Sequence, residues 1–113
     1  MNEDLKVRTK NFAVRIIRLF AALRKITEAQ VIGKQFLRSG TSVGAQYREP
    51  QHAKSDADFI SKVEGSLQEL EETTYWLELL EEMQIFTPKK LKPIQQETKE
   101  LTAIFDTIAK KVK

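Results

Sequence analysis

The sequence predicts an all-α protein, an antiparallel up-down four-helix bundle. Apolar residues recur every three or four positions in four stretches of the chain, the spacing of amphipathic helices. No stretch alternates apolar and polar residues in the way that a half-buried β-strand does. The connections between the four stretches are short, which favours antiparallel packing of neighbours. We therefore predict one bundle domain over residues 1–113.

The first two predicted helices span about residues 9–26 and 28–49 and follow a flexible N-terminus at about 1–8. The second has a looser apolar spacing, and it contains a run of small residues, RSGTSVGAQYREP, at positions 38–50. Thr27 fits an N-cap, and Pro50 should kink or end the helix because proline lacks the N–H of a helical bond. The apolar stripes comprise Phe12, Ile16, Leu19, Phe20, Leu23 and Ile26 in the first helix, and Val31, Ile32, Phe36, Val43 and Tyr47 in the second.

The third and fourth predicted helices span about residues 56–84 and 88–111. Ser55 and Asp58 have the spacing of a capping box, with an acid in the glutamate position. Thr87 and Pro88 combine a cap with a first-turn proline, the favoured start of another helix. The third helix should be long, which predicts an elongated bundle.

Composition indicates a folded, soluble protein. The chain is 41% hydrophobic and 31% charged, which is too apolar for disorder, and no apolar run approaches the roughly 20 residues of a membrane span. It has no cysteine, and its first residues lack the pattern of a signal peptide. We expect a cytoplasmic protein, small enough that oligomerisation would add usefully to its buried surface.

Patterns for catalysis or cofactor binding are weak. Without cysteine and with a single histidine, the chain offers no nucleophilic triad, and the run around Gly40 and Gly44 lacks the Lys-Ser/Thr pair of a phosphate loop. Glu49 and His52 have the spacing of di-iron bundle ligands, but that site needs the motif twice. The glutamates of the third helix are typical of a solvated face. We predict no enzyme, no catalytic residue, no metal site and no cofactor.

Charge is distributed unevenly along the chain. Residues 1–54 carry 11 basic against 4 acidic residues, residues 55–86 carry 1 against 9, and residues 87–113 carry 7 against 3. Either a polyanionic partner or attraction between segments of one assembly would explain this pattern. Basic residues cluster on the first-helix face away from the apolar stripe, on the second helix and at the start of the fourth. The candidate nucleic-acid-binding residues are Arg15, Arg18, Arg24, Lys25, Lys34, Arg38, Lys89, Lys90 and Lys92.

Two segments together, RSGTSVGAQYRE and AKSDADFISKVEGSLQELEETTYWLELL, resemble the four-helix bundle family of proteins encoded in intervening sequences of bacterial 23S rRNA genes. The likeness covers about residues 10–111. Two residues depart from the family pattern. Gln46 stands where the family usually has Asn, and Pro50 should kink or end the second helix, which is straight in the family. The matching residues are Arg38, Ser39, Thr41, Ser42, Val43, Gly44, Ala45, Glu49, Lys54, Ser55, Asp58 and Phe59.

The resemblance implies a ring-like homo-oligomer, a homopentamer, since members are similar in this respect although most have no assigned activity. A related branch, the accessory variability determinant of diversity-generating retroelements, is a basic pentamer that binds nucleic acid and a reverse transcriptase. The first hypothesis is therefore a non-enzymatic bundle that binds RNA or DNA backbone, as an accessory to a reverse transcriptase or another nucleic-acid enzyme.

The second hypothesis is a structural or protein-binding module without affinity for nucleic acid. In that case the acidic third helix of one subunit would face basic helices of the next, and high salt would loosen the assembly. Under both hypotheses, the end of the second helix carries polar side chains at a place where the helices should pack closely. We predict that Gln46, Arg48 and Glu49 make interhelix or subunit contacts, with Gln46 and Glu49 hydrogen-bonded to the third helix or to a neighbouring subunit.

Overall fold

The computed structural model describes the backbone of residues 2–48 and 55–112 and the side chains of residues 5–48 and 55–111. Within these ranges the chain forms four helices and no strand, in agreement with the predicted four-helix bundle. The helices are α1 (Asn2–Ala21), α2 (Thr27–Arg48), α3 (Asp56–Glu82) and α4 (Pro88–Val112).

Each helix packs against the next one in the chain, and α1 and α4 make the sparsest contact. The bundle is elongated, measuring 45 × 20 × 20 Å, as its longest helix of 27 residues requires at about 1.5 Å per residue. Apolar side chains from all four helices fill its axis, among them Phe12, Phe36, Leu70 and Phe105. Because α1 and α4 touch so little, a seam between them stays open to solvent along part of its length.

The predicted helix starts at Ser55 and Thr87 are confirmed by hydrogen bonds. The Asp58 amide donates to Ser55 Oγ at 3.1 Å, and the Lys90 amide donates to Thr87 Oγ1 at 3.1 Å. Each bond satisfies a backbone N–H that the first turn of a helix leaves without a partner. α3 and α4 therefore begin within one residue of the predicted positions.

α3 ends at Glu82, two residues before the predicted end. Gln84 adopts a left-handed conformation with φ 55°, and its amide donates to the Glu81 carbonyl. The Ile85 amide donates to the Leu80 carbonyl at 3.0 Å, completing the two bonds of a Schellman motif. Both Ile85 and Leu80 are buried, so this apolar contact offsets the cost of a left-handed residue other than glycine.

The prediction of a flexible segment at residues 1–8 is wrong, because α1 already begins at Asn2. Leu5 is only 7% exposed and extends the apolar stripe one turn ahead of Thr9, which is 1% exposed. The predicted end of this helix near residue 26 is also wrong. α1 stops at Ala21, and the carbonyl of Ile26 instead accepts from Gln30 as the first bond of α2.

The small-residue segment of α2 is helical through Arg48 and packs closely against α1 on one side and α3 on the other. A Cβ added to Gly40 would lie 2.7 Å from Ile16 Cγ1, and one added to Gly44 would lie 3.1 Å from Thr9 Oγ1. Both glycines therefore allow α1 to approach the α2 backbone, which offsets a helix-propensity cost of about 1 kcal/mol each.

The other side of the same segment contacts α3 through hydroxyl groups. Ser39 Oγ and Thr73 Oγ1 are 2.8 Å apart, and Ser66 Oγ donates to the Val43 carbonyl at 3.0 Å. All three hydroxyl-bearing residues are fully buried, so these bonds satisfy groups that would otherwise be costly to bury. The predicted end of α2 at residue 49 and the effect of Pro50 lie outside the described residues.

Two stripe positions predicted for the first two helices prove to face solvent, since Val31 is 60% exposed and Ile26 is 37% exposed. Ile26 lies beyond the end of α1 at Ala21. None of the helices in the described ranges combines the length and apolar character that a membrane span requires.

Candidate nucleic-acid interface

A groove of about 550 Å³ lies between α1 and the start of α4, and we call it the basic groove. Four of the predicted cations line it, Arg15 and Arg18 from α1 together with Lys89 and Lys90 from α4. None of the described residues in its lining is a carboxylate. Leu19, Thr87, Pro93 and Ile94 complete it.

Local sequence explains why these cations converge. Arg15 and Arg18 are three residues apart and so share one face of α1, to the side of the buried stripe. The Thr87 cap sets the start of α4, which places Lys89 and Lys90 in its first turn. Backbone N–H groups at a helix N-terminus carry partial positive charge, which adds to that of the lysines. The groove therefore concentrates positive charge that has no evident role in holding the helices together.

The four groove cations take part in no ion pair with another described residue. Arg18, Lys89 and Lys90 are exposed, and Arg15 is half-buried. Unpaired cations are accessible to an anion without first breaking an internal contact. This property separates the groove cations from Arg8 and Arg38, which are held by glutamates.

Other predicted cations lie around the same end of the bundle. Arg24 and Lys25 are exposed in the connection that follows α1, and Lys92 is exposed in the second turn of α4. Lys34 is exposed on α2, about two turns from that end. The antiparallel order brings the end of α1, the start of α2 and the start of α4 together there, and these cations extend the positive surface beyond the groove.

Arg38 is placed differently from the other candidates. Its guanidinium contacts Glu69 at 3.2 Å and also pairs with Glu72, both on α3. Hydrogen bonding to Glu72 is the main reason that the pKa of Arg38 is raised. Arg38 therefore joins α2 to α3 and is not part of the basic groove.

A second arginine bridge, not expected from the sequence, lies at the far end of the α1–α4 seam. Arg8 donates to both carboxylate oxygens of Glu97 at 2.8 Å and to Glu100 at 2.7 Å. The hydrogen bond from Gln96, followed by that from Arg8, lowers the pKa of Glu100. The spacing of Arg8 and Arg15 places both on the same face of α1. Only the packing of the helices shows that acids face Arg8 and lysines face Arg15.

The residues predicted for interhelix or subunit contact have mixed placements. A Cβ added to Gly65 of α3 would lie 2.8 Å from Gln46 Oε1, so the Gln46 side chain packs closely on α3. This amide makes no hydrogen bond to another described residue, and the contact is one of packing. Arg48 is exposed in the last turn of α2, and Glu49 lies outside the described residues.

Metal-binding patterns are absent from the part of the chain that the structure describes, where no three His, Cys, Asp or Glu side chains cluster suitably. Glu49 and His52, the pair with di-iron spacing, lie outside the described residues. Among the described residues, the site consists of cations in an open groove, an arrangement that suits binding of an anion. These residues do not place a nucleophile beside a base.

Comparison with known proteins agrees with this architecture. The family model described as 23S rRNA-intervening sequence protein matches residues 3–107. The chain belongs to this family. A crystal structure at 1.70 Å of an S23 ribosomal protein family member from Bacteroides thetaiotaomicron VPI-5482 is similar, with 40% identity and a TM-score of 0.89. That similarity covers 97% of this chain and 99% of the other, whose function is described as unknown.

No curated protein matches the chain. Membership in the 23S rRNA-intervening sequence protein family thus establishes the fold and the relatives, and function has to be argued from the residues of this member. Neither the family description nor the solved relative names an enzymatic activity.

Proposed function

We propose that this family member binds the phosphate backbone of RNA or DNA through the basic groove. The observation that carries the proposal is the convergence of Arg15, Arg18, Lys89 and Lys90 on one open groove, whose described lining includes no carboxylate. A backbone of regularly spaced phosphates is the common cellular polyanion that such a groove suits. Arg24, Lys25, Lys34 and Lys92 extend the contact at the same end of the bundle.

Binding of this kind is independent of base sequence. The described residues that line the groove include no aromatic side chain on which a base could stack. Affinity then comes mainly from release of counterions from the nucleic acid and falls steeply with salt. The protein would act as an accessory that holds nucleic acid, for a reverse transcriptase or another nucleic-acid enzyme, and co-purification with such an enzyme tests that partnership.

Fluorescence anisotropy with a labelled mixed-sequence oligonucleotide of about 20 nucleotides tests the proposal. We expect binding at about 50 mM salt that weakens at least tenfold by about 200 mM. The double substitution Arg15→Gln/Arg18→Gln should weaken binding and reduce the salt dependence. Arg38→Gln is the matched control, because Arg38 is engaged by α3, and it should change affinity little.

Absence of binding at the lower salt concentration would refute the proposal. Equal losses for the groove variant and the Arg38 control would refute the assignment to the groove.

We infer as a second candidate function that the chain self-associates, as a structural module with or without nucleic acid. Val7 is 60% exposed, Ile17 is 47% exposed and Val14 is 36% exposed, and they lie on one side of α1. Aliphatic groups that share one helix face are typical of a surface covered by a partner. Light scattering tests this candidate and also the expected homopentamer. A monomer mass at every concentration would refute self-association.

A further inference from the structure

Two surfaces of the bundle are covered by no other part of the chain that the structure describes, and they have complementary character. The first, which we call the α1 stripe, consists of Val7, Val14 and Ile17 on the side of α1 away from the core. The second, which we call the α3–α4 groove, has a volume of about 600 Å³ and lies between those two helices. Leu67, Leu77 and Ala103 contribute apolar surface to it.

The lengths of the two surfaces correspond. From Val7 to Ile17 the α1 stripe spans 10 residue-to-residue steps, or about 15 Å at 1.5 Å per residue. Along α3 the groove runs from Leu67 to Glu78, which is 11 such steps or about 17 Å. A stripe of valine and isoleucine side chains laid in a groove between two helices is a common mode of helix recognition.

Charge favours the same pairing. Lys10 is exposed on the face that carries the stripe, because it lies three residues after Val7 and one turn before Val14. Glu71 and Glu78 line the α3–α4 groove and form no ion pair with another described residue, whereas Lys99 is the one basic residue among the described residues of the lining. Asp106, also in the lining, is paired with Lys110 at 2.9 Å. The groove is thus acidic where the stripe is basic.

We propose that the α1 stripe of one copy docks in the α3–α4 groove of the next copy. This inference rests on the proposed self-association and identifies the two surfaces that carry it. The interface is heterologous, because different surfaces of the two copies meet, and it repeats head to tail until the chain of copies closes. Arg18, one turn after Val14, borders the stripe, whereas Lys89 and Lys90 line the basic groove from α4.

Two variants that each break one surface test the proposal by sedimentation velocity. Val14→Asp/Ile17→Asp places acids on the stripe, and Thr74→Gln/Ala103→Gln fills the groove with longer polar side chains. All four positions are exposed, so the bundle should fold, which helicity by circular dichroism checks. Each variant alone should be monomeric, with a dissociation constant raised at least about 100-fold.

A mixture of the two variants gives the decisive result. One variant keeps an intact groove and the other an intact stripe, so together they should form a 1:1 pair and nothing larger. Val31→Asp, at a more exposed apolar position on α2, is the control and should assemble like the unaltered chain. Lys10→Glu should weaken assembly about tenfold through charge repulsion.

The outcomes separate the two proposals. An unaltered chain that is monomeric refutes self-association and this interface together. An unaltered chain that assembles, with either variant still assembling alone, refutes the interface and leaves self-association in place. Variants that are monomeric alone and also in the mixture refute the head-to-tail pairing of these two surfaces.

Discussion

The two ends of the α1–α4 seam use similar residues for opposite purposes. At one end Arg8 is held by Glu97 and Glu100, with contacts of 2.7 to 2.8 Å. At the other end Arg15 and Arg18 face Lys89 and Lys90 across an open groove. An arginine on this face of α1 is therefore structural or available to a ligand according to what α4 places opposite it.

The register of the antiparallel helices explains the contrast. Arg15 follows Arg8 by seven residues, and Lys90 precedes Glu97 by seven, so each step covers two helical turns, or about 10 Å. Moving along the seam by that distance exchanges an acidic partner for a basic one. Like charges across a seam oppose close packing, which suits a part of the molecule that stays open.

The largest expected effect comes from reversing charge at the open end. Lys89→Glu/Lys90→Glu should lower affinity for an oligonucleotide by about 100-fold or more at low salt, because two phosphate contacts are replaced by repulsion. Lys110→Glu/Lys111→Glu makes the same charge change near the other end of α4 and should cost less than about threefold. Similar losses for both pairs would show that net charge, and not the groove, controls binding.

Loss of the contact between Arg8 and Glu97 at the paired end of the seam should reduce the stability of the fold without affecting oligonucleotide binding. Glu97 is 15% exposed and accepts two bonds from Arg8, so Glu97→Ala should lower the free energy of unfolding by about 1 to 2 kcal/mol. Urea denaturation measures this loss. Glu100→Ala, at the more exposed partner, should have the smaller effect, and a larger one would contradict the assignment of Glu97 as the main partner.

Charge reversal at the open end should also stabilise the fold. Lys89→Glu/Lys90→Glu places acids at the N-terminus of α4 and opposite Arg15 and Arg18, so the free energy of unfolding should rise by about 0.5 to 1 kcal/mol. Thermal denaturation without nucleic acid checks this gain. An unchanged or lower melting temperature would mean that the groove lysines do not repel the arginines of α1.

The smallest expected effect is a pH dependence that originates at the paired end. The pKa of Glu100 is lowered by the hydrogen bond from Gln96 and then by that from Arg8. Stability from this group is therefore complete above its ordinary pKa of 4.5 and is lost as pH falls through the lower pKa of the folded state.

Glu100→Gln should remove this dependence. The variant should be less stable than the unaltered chain near neutral pH, and the difference should vanish once pH falls below the lowered pKa of Glu100 in the folded state. Denaturation curves across that range measure it, and a stability difference that does not change with pH would contradict the assignment.

Local rules were sufficient for much of the fold. The apolar repeat of three and four residues predicts the four helices, and Ser55 and Thr87 mark the starts of α3 and α4 because capping depends only on residues within one turn. The start of α1 was misplaced because Leu5 is stabilised by burial in the bundle. The cations that now line the basic groove could be named from composition and helix faces.

Partners across the seam depend on the tertiary structure. Arg8, Arg15 and Arg38 look alike in the sequence, yet Arg8 meets α4 acids, Arg38 meets α3 acids and Arg15 meets lysines. Periodicity decides which face of a helix a residue occupies, because that depends on spacing within one segment. It does not decide the axial register between segments far apart in the chain, which the packing of glycines and apolar side chains sets, and with it the charge that each arginine faces.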